Sequence, residues 1–78
     1  MSAQAPAADV AAKTVTSNGT TYDIQDLGDD RYVVLLAGVP VGRIVYTFGA
    51  ANGVPEGGTV SEDELTAIGE AWFAALDA

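Results

Sequence analysis

Lys13-Thr14-Val15-Thr16-Ser17-Asn18-Gly19-Thr20-Thr21-Tyr22-Asp23-Ile24 is the stretch that decides the fold. Two runs rich in threonine and β-branched residues flank Asn18-Gly19. That dipeptide favours a two-residue type I′ turn, which needs positive φ at both central positions. A hairpin closed there sets Val15 opposite Tyr22, a favourable β-branched/aromatic pair.

Further along, Leu27-Gly28-Asp29-Asp30 reads as a second turn, and Arg31 to Leu36 as the most apolar strand. Tyr32, Val34 and Leu36 fall on one face, Val33 and Leu35 on the other. This is the pattern of a central strand covered on two sides. A three-residue loop at Gly28 to Asp30 places Ile24 opposite Val34 and Tyr22 opposite Leu36. The even-numbered face is then one continuous apolar surface. Ala37-Gly38-Val39-Pro40 is a third turn signal, and Val41 to Phe48 a third long strand, with Ile44, Tyr46 and Phe48 alternating. Pro40 stands at its start, where a missing N–H does least harm. The register across this turn, and with it the face of Val45, stays open. Gly49 to Thr59 holds four glycines, Asn52 and Pro55, and reads as a long loop. It is no phosphate cradle: it lacks a Gly-Lys-Ser/Thr ending and contains Glu56.

Ser61 to Asp77 reads as a helix. Ser61 is the N-cap and Glu64 completes a capping box, with Val60 and Leu65 at the positions of a hydrophobic staple. Glu62 and Asp63 favour the positive end of the helix dipole. Leu65, Ile68, Trp72 and Leu76 recur at helical spacing as the stripe that packs on the sheet, with Gly69 and Phe73 beside them. At the other terminus, residues 1–12 carry six alanines, Pro6 and almost no large side chain. They read as a flexible N-terminal arm. A short helix from Pro6 to Ala12 is the rival reading. The expected organisation is that arm followed by a single α+β domain at residues 13–78. Its core is a three- to four-stranded antiparallel β-meander with one C-terminal amphipathic helix packed on one face. The other face exposes Val33 and Leu35, an apolar interface for the arm, a second copy or another protein.

Composition then excludes chemistry. The 78 residues include 11 acidic and three basic side chains, no histidine and no cysteine, for a formal net charge of -8. No disulfide, Cys/His metal site, Ser-His-Asp triad or Cys-His dyad can be built. Lys13, Arg31 and Arg43 are too few to hold phosphates, which argues against direct nucleic-acid binding, and the acidic surplus repels anionic lipids. Hydrophobic residues make up 49%, but fourteen of them are alanines, so the larger apolar side chains suffice for one thin core. No apolar run reaches the ~20 residues of a membrane span, and the first twelve residues lack the pattern of a secretory signal. The expected location is cytoplasmic. No cofactor is expected.

Three roles are open to the carboxylates. Asp29-Asp30 and Glu62-Asp63-Glu64 as a catalytic acid and base need a desolvating cleft. Turn chemistry and helix capping account for them without one. Asp23, Asp26, Asp29 and Asp30 offer oxygen ligands but not the spacing of a calcium loop. The third role is a partner surface. Asp63, Glu70 and Asp77 are seven apart and form one line along the helix, with about 10.5 Å between members. That line lies roughly 140° from the centre of the apolar stripe. Asp23, Asp26, Asp29 and Asp30 form a second, separate cluster around a β-turn. Two negative clusters with almost no balancing lysine favour a basic protein surface.

In size, in its hairpins Thr20–Leu27, Arg31–Leu36 and Val41–Phe48, in the single helix Ser61–Asp77 and in its acidic surplus, the chain resembles the small acidic anti-CRISPR proteins of phages and mobile elements, including type I-C inhibitors. The resemblance spans nearly the whole chain. Those inhibitors share no common signature, so no functional residue is carried over from them. The resemblance implies a non-enzymatic inhibitor in the cytoplasm of a bacterial host. Such an inhibitor binds CRISPR-associated complex subunits and blocks target DNA, its carboxylates meeting Lys and Arg of the complex. Two other expectations compete with it. One is a small structural or assembly module that self-associates through the uncovered sheet face, so the chain is a monomer or a homodimer. The other is an acidic domain of a salt-loving organism, whose charge serves solvation alone.

Overall fold

The computed structural model describes residues 6–77. Within them six strands are followed by one helix: β1 Ala7–Asp9, β2 Thr14–Ser17, β3 Thr20–Gly28, β4 Arg31–Leu36, β5 Val39–Thr47, β6 Ala50–Pro55 and α1 Glu62–Leu76. The strands form one antiparallel sheet in chain order. The α+β class and the C-terminal helix are as read from the sequence; the sheet has six strands rather than three or four. Both extra strands lie in segments read otherwise. Ala7–Asp9 pairs with β2, Ala8 opposite Val15, so this part of the supposed arm is an edge strand and not a helix. Asp9 Oδ1 accepts a hydrogen bond from Ala12 N at 3.1 Å and braces the turn that follows. Residues 1–5 of the arm lie outside the described residues. Ala50–Pro55, read as loop, pairs with β5 along its whole length.

Each hairpin from β2 to β6 closes through two residues of positive φ: Asn18-Gly19, Asp29-Asp30, Ala37-Gly38 and Phe48-Gly49. That is the type I′ signature, whose twist matches the strands it joins. Val15 faces Tyr22 and Ile24 faces Val34, as the turn signals imply. The β3–β4 turn is tighter than read, because Gly28 already pairs with Arg31; a bulge between Asp26 and Gly28 absorbs Leu27. A second irregularity, between Val34 and Leu35, fixes the open register. There Val41 and Gly42 both turn inward and are buried. Arg31 then pairs with Val45 and Val33 with Arg43, which sets Val45 on the outer face.

The sheet curls so that α1 touches β5 and β6 at one edge and β1 and β2 at the other. The core gathers Val15, Tyr22, Ile24, Tyr32, Val34 and Ile44 from the sheet with Leu65, Ile68 and Trp72 from the helix. Ser61 Oγ accepts from Glu64 N at 3.2 Å, the expected cap. The Glu64 carboxylate, however, accepts from Ser17 Oγ at 3.3 Å and ties the helix start to β2. Val60 and Leu65 are both buried, consistent with the staple. Leu76, placed in the apolar stripe, is instead exposed. Among the described residues no helix is long and apolar enough to cross a membrane.

Helix and sheet meet almost backbone to backbone. A Cβ added at Gly53 would lie 2.6 Å from Leu65 Cβ and 2.8 Å from Glu62 O. One added at Gly69 would lie 2.7 Å from Ile44 Cγ2 and 3.0 Å from Ala51 Cβ. Gly53 N also donates to Thr66 Oγ1 at 3.1 Å, a strand-to-helix hydrogen bond that needs this closeness. In an isolated helix Gly69→Ala would gain about 1 kcal/mol of propensity. Here the added methyl overpacks the contact with Ile44, and overpacking of this kind costs about 1–3 kcal/mol. Gly69→Ala is therefore expected to lower the urea midpoint, and a raised midpoint would contradict the contact.

Candidate functional site

Successive turns of an antiparallel meander alternate between the two ends of the sheet. The β1–β2 connection, the Asp29-Asp30 turn and the Phe48-Gly49 turn therefore share one end. β6 carries the chain back to the opposite end, where α1 starts. The helix then returns and delivers Asp77 to the first end. Two observations tie these parts together. Tyr46 N donates to Asp30 O at 2.9 Å. Gly49 and Ala50 of the last turn line the same pocket as Glu70 and Asp77 of the helix.

The two acidic clusters expected to be separate are thus partly united. Asp26, Asp29, Asp30, Glu70 and Asp77 belong to one end of the molecule. Asp63 lies in the first turn of α1, at the other end, and Asp23 lies on the outer face opposite Leu35. All seven carboxylates are exposed. Asp26 Oδ1 accepts from Gly28 N at 2.8 Å and so serves the bulge. Asp29 stands 3.8 Å from Arg31, with both side chains mostly in solvent, where such a pair contributes little. Among the described residues Asp30, Glu70 and Asp77 have no salt-bridge partner, and no three acidic side chains converge as a metal-ligand set. The carboxylates form a spread surface rather than a coordination site.

Val33 and Leu35 lie half-buried on the outer face, with Val45 and the exposed Val54 around Arg43. Arg43 Nε is 3.6 Å from Glu56 Oε1. β1 extends the sheet sideways and does not cover this face.

Sequence reasoning missed the pocket itself. It has a volume of about 390 Å³ and lies between the β5–β6 hairpin and the C-terminal half of α1. Tyr46 and Phe73 form its aromatic wall, their ring centroids 3.9 Å apart. Phe73 meets Tyr32 edge-on at 5.3 Å, and Tyr32 meets Trp72 at 6.2 Å, so an aromatic chain links the pocket to the core. A usable signal was present: Phe48-Gly49 stands between two strands in the turn position where Asn-Gly or Asp-Gly is usual.

The field of the acidic end reaches the core. Burial raises the Tyr32 phenol above its ordinary 10.0, and Asp26 and Asp30 add to that shift. The Trp72 indole opposes it but falls short of a hydrogen bond, since its buried Nε1 has no partner. Burial also raises Tyr22, with Glu64 adding. A raised phenol holds its proton longer folded than unfolded. Its stabilisation is complete below about pH 10 and is lost as pH climbs beyond it. The urea midpoint is expected to fall above that pH, and less steeply in Tyr32→Phe; an identical slope in the variant would contradict the assignment.

Comparison of the chain with protein-family models, with curated proteins and with solved structures finds no match.

Proposed function

We propose that the protein is a non-enzymatic inhibitor that covers a basic, nucleic-acid-binding protein surface and blocks its access to DNA. The target class is the one implied by the anti-CRISPR resemblance, a CRISPR surveillance complex in the cytoplasm of a bacterial host. One observation carries the reading. The meander and its returning helix concentrate Asp26, Asp29, Asp30, Glu70 and Asp77 at one end, where Lys13 and Arg31 are the nearby cations. The fold draws little stability from those charges, and charge gathered on one surface speeds encounter with a surface of opposite sign. The screening length is about 8 Å at physiological salt, so a patch acting at contact keeps its effect while distant charges lose theirs.

A band-shift assay with purified type I-C surveillance complex and its target DNA tests this. Excess protein is expected to abolish DNA binding, with the effect weakening as salt rises. The variant Asp29→Asn/Asp30→Asn/Glu70→Gln/Asp77→Asn should inhibit at least about tenfold less well while its circular dichroism is unchanged. Full inhibition by that variant, or none by the native chain, would overturn the proposal.

A second reading rests on the outer face, where Val33, Leu35, Val45 and Val54 present apolar surface around Arg43. It is self-association as an assembly module. Sedimentation distinguishes it, because dimers formed through this face persist at high salt and dissociate in Val33→Glu.

A further inference from the structure

Three features around the Tyr46–Phe73 pocket work against the fold. Phe48 holds φ 52, a region that bulky residues disfavour. Its ring is also fully solvent-exposed, at 103% of the reference area. The β2–β3 turn solves the same geometric problem with Asn18 and the β4–β5 turn with the small Ala37. The third feature is Asp77, the C-cap of α1, which sets a carboxylate at the negative end of the helix dipole, with no basic residue in the last turn. Positive φ recurs in the other turns, but here it falls on a bulky, wholly exposed ring beside an acidic C-cap, and such combined departures from local preference mark a working site.

We propose that this pocket receives the guanidinium of an arginine side chain on the partner protein, with Phe48 as an apolar anchor beside it. Charge complementarity argues for the occupant. Glu70 and Asp77 line the pocket, and the carboxylate of either can accept the planar fork of a guanidinium. Tyr46 and Phe73 offer ring surface on which a weakly hydrated planar cation stacks. A cation seated there also relieves the conflict between Asp77 and the helix dipole. A hard metal ion would find only two carboxylates and an aromatic wall, a poor donor set. At about 390 Å³ the pocket has room for a guanidinium and the end of its aliphatic stem. Phe48 decides between a free cation and a protein-borne one. It is wholly exposed and precedes Gly49 of the pocket lining in the same turn, so a small ligand in the pocket leaves it wet, whereas a protein surface large enough to fill the pocket covers both. An aromatic anchor beside an arginine has the composition of an interface hot spot.

This inference rests on the proposed basic partner and names its anchor. The test uses the full chain in two steps. The first is an amide NMR titration with ethylguanidinium, and in parallel with butylammonium. Saturable shifts centred on Gly49, Ala50, Glu70 and Phe73 are expected, stronger for ethylguanidinium. They should weaken about tenfold in Glu70→Gln/Asp77→Asn. Diffuse, unsaturated shifts over all acidic residues, or an equal response to both probes, would overturn the pocket. The second step is Phe48→Asn. Its Tm should rise by roughly 4 °C, its ethylguanidinium titration should be unchanged, and its affinity for the surveillance complex should drop about tenfold. Unchanged affinity would overturn the anchor. If ethylguanidinium saturates the pocket but the complex is not bound, the choice of partner and the Phe48 anchor fall and the pocket stands. If the complex is bound and the pocket stays silent, the pocket alone falls.

Discussion

Everything else in this fold depends on how closely α1 lies on β5 and β6. Gly42 and Gly53 leave room for Leu65, and Gly69 leaves room for Ile44 and Ala51. Leu65, Ile68 and Ile44 are completely buried as a result. Side chains of this size are each stabilised by about 1.5–3 kcal/mol on full burial. In a chain of 78 residues few such side chains are available, so each must be fully used. A helix held off by one methyl at Gly53 would loosen Leu65 and break the hydrogen bond from Gly53 N to Thr66 Oγ1.

The same closeness explains what was legible in the sequence. The Asn18-Gly19 hairpin, the Arg31–Leu36 strand and the Ser61 cap are written in local signals, and the structure holds them where those signals put them. β6 is not written locally. Ala50-Ala51-Asn52-Gly53 has poor strand propensity, because its inward positions were chosen small for the helix and not for the sheet. β1 is hidden for a related reason: its Ala7-Ala8 carries too little side chain to declare a face. The two bulges leave no mark that a regular alternation would reveal, so the β3–β4 turn and the register around Pro40 show only in the folded sheet.

Missing β6 also hid the site. The acidic residue types were plain, but their meeting at one end is a matter of parity. A loop after β5 leaves the direction of the helix undetermined. A sixth strand sends the chain to the far end, so α1 must run back toward the Asp29-Asp30 turn and bring Glu70 and Asp77 with it. The chain of cause runs from small residues in β6, to a paired strand, to the direction of the helix, to a united acidic end.

The pocket at that end combines a rigid wall with an unsupported neighbour. Phe73 is held edge-on by Tyr32, and Tyr32 in turn by Trp72, so the wall inherits the order of the core. Trp72 accepts an unpartnered indole N–H to take this place, and a buried donor left unpaired costs about 1–3 kcal/mol. Phe48, one turn away, has no such support and a strained backbone. A wall fixed before binding loses little entropy when a ligand arrives. An exposed ring, by contrast, gains most from being covered, since its whole apolar surface is still in water. The end therefore joins a rigid aromatic wall, which the proposed arginine would find already in place, to an exposed ring that the proposed partner would cover.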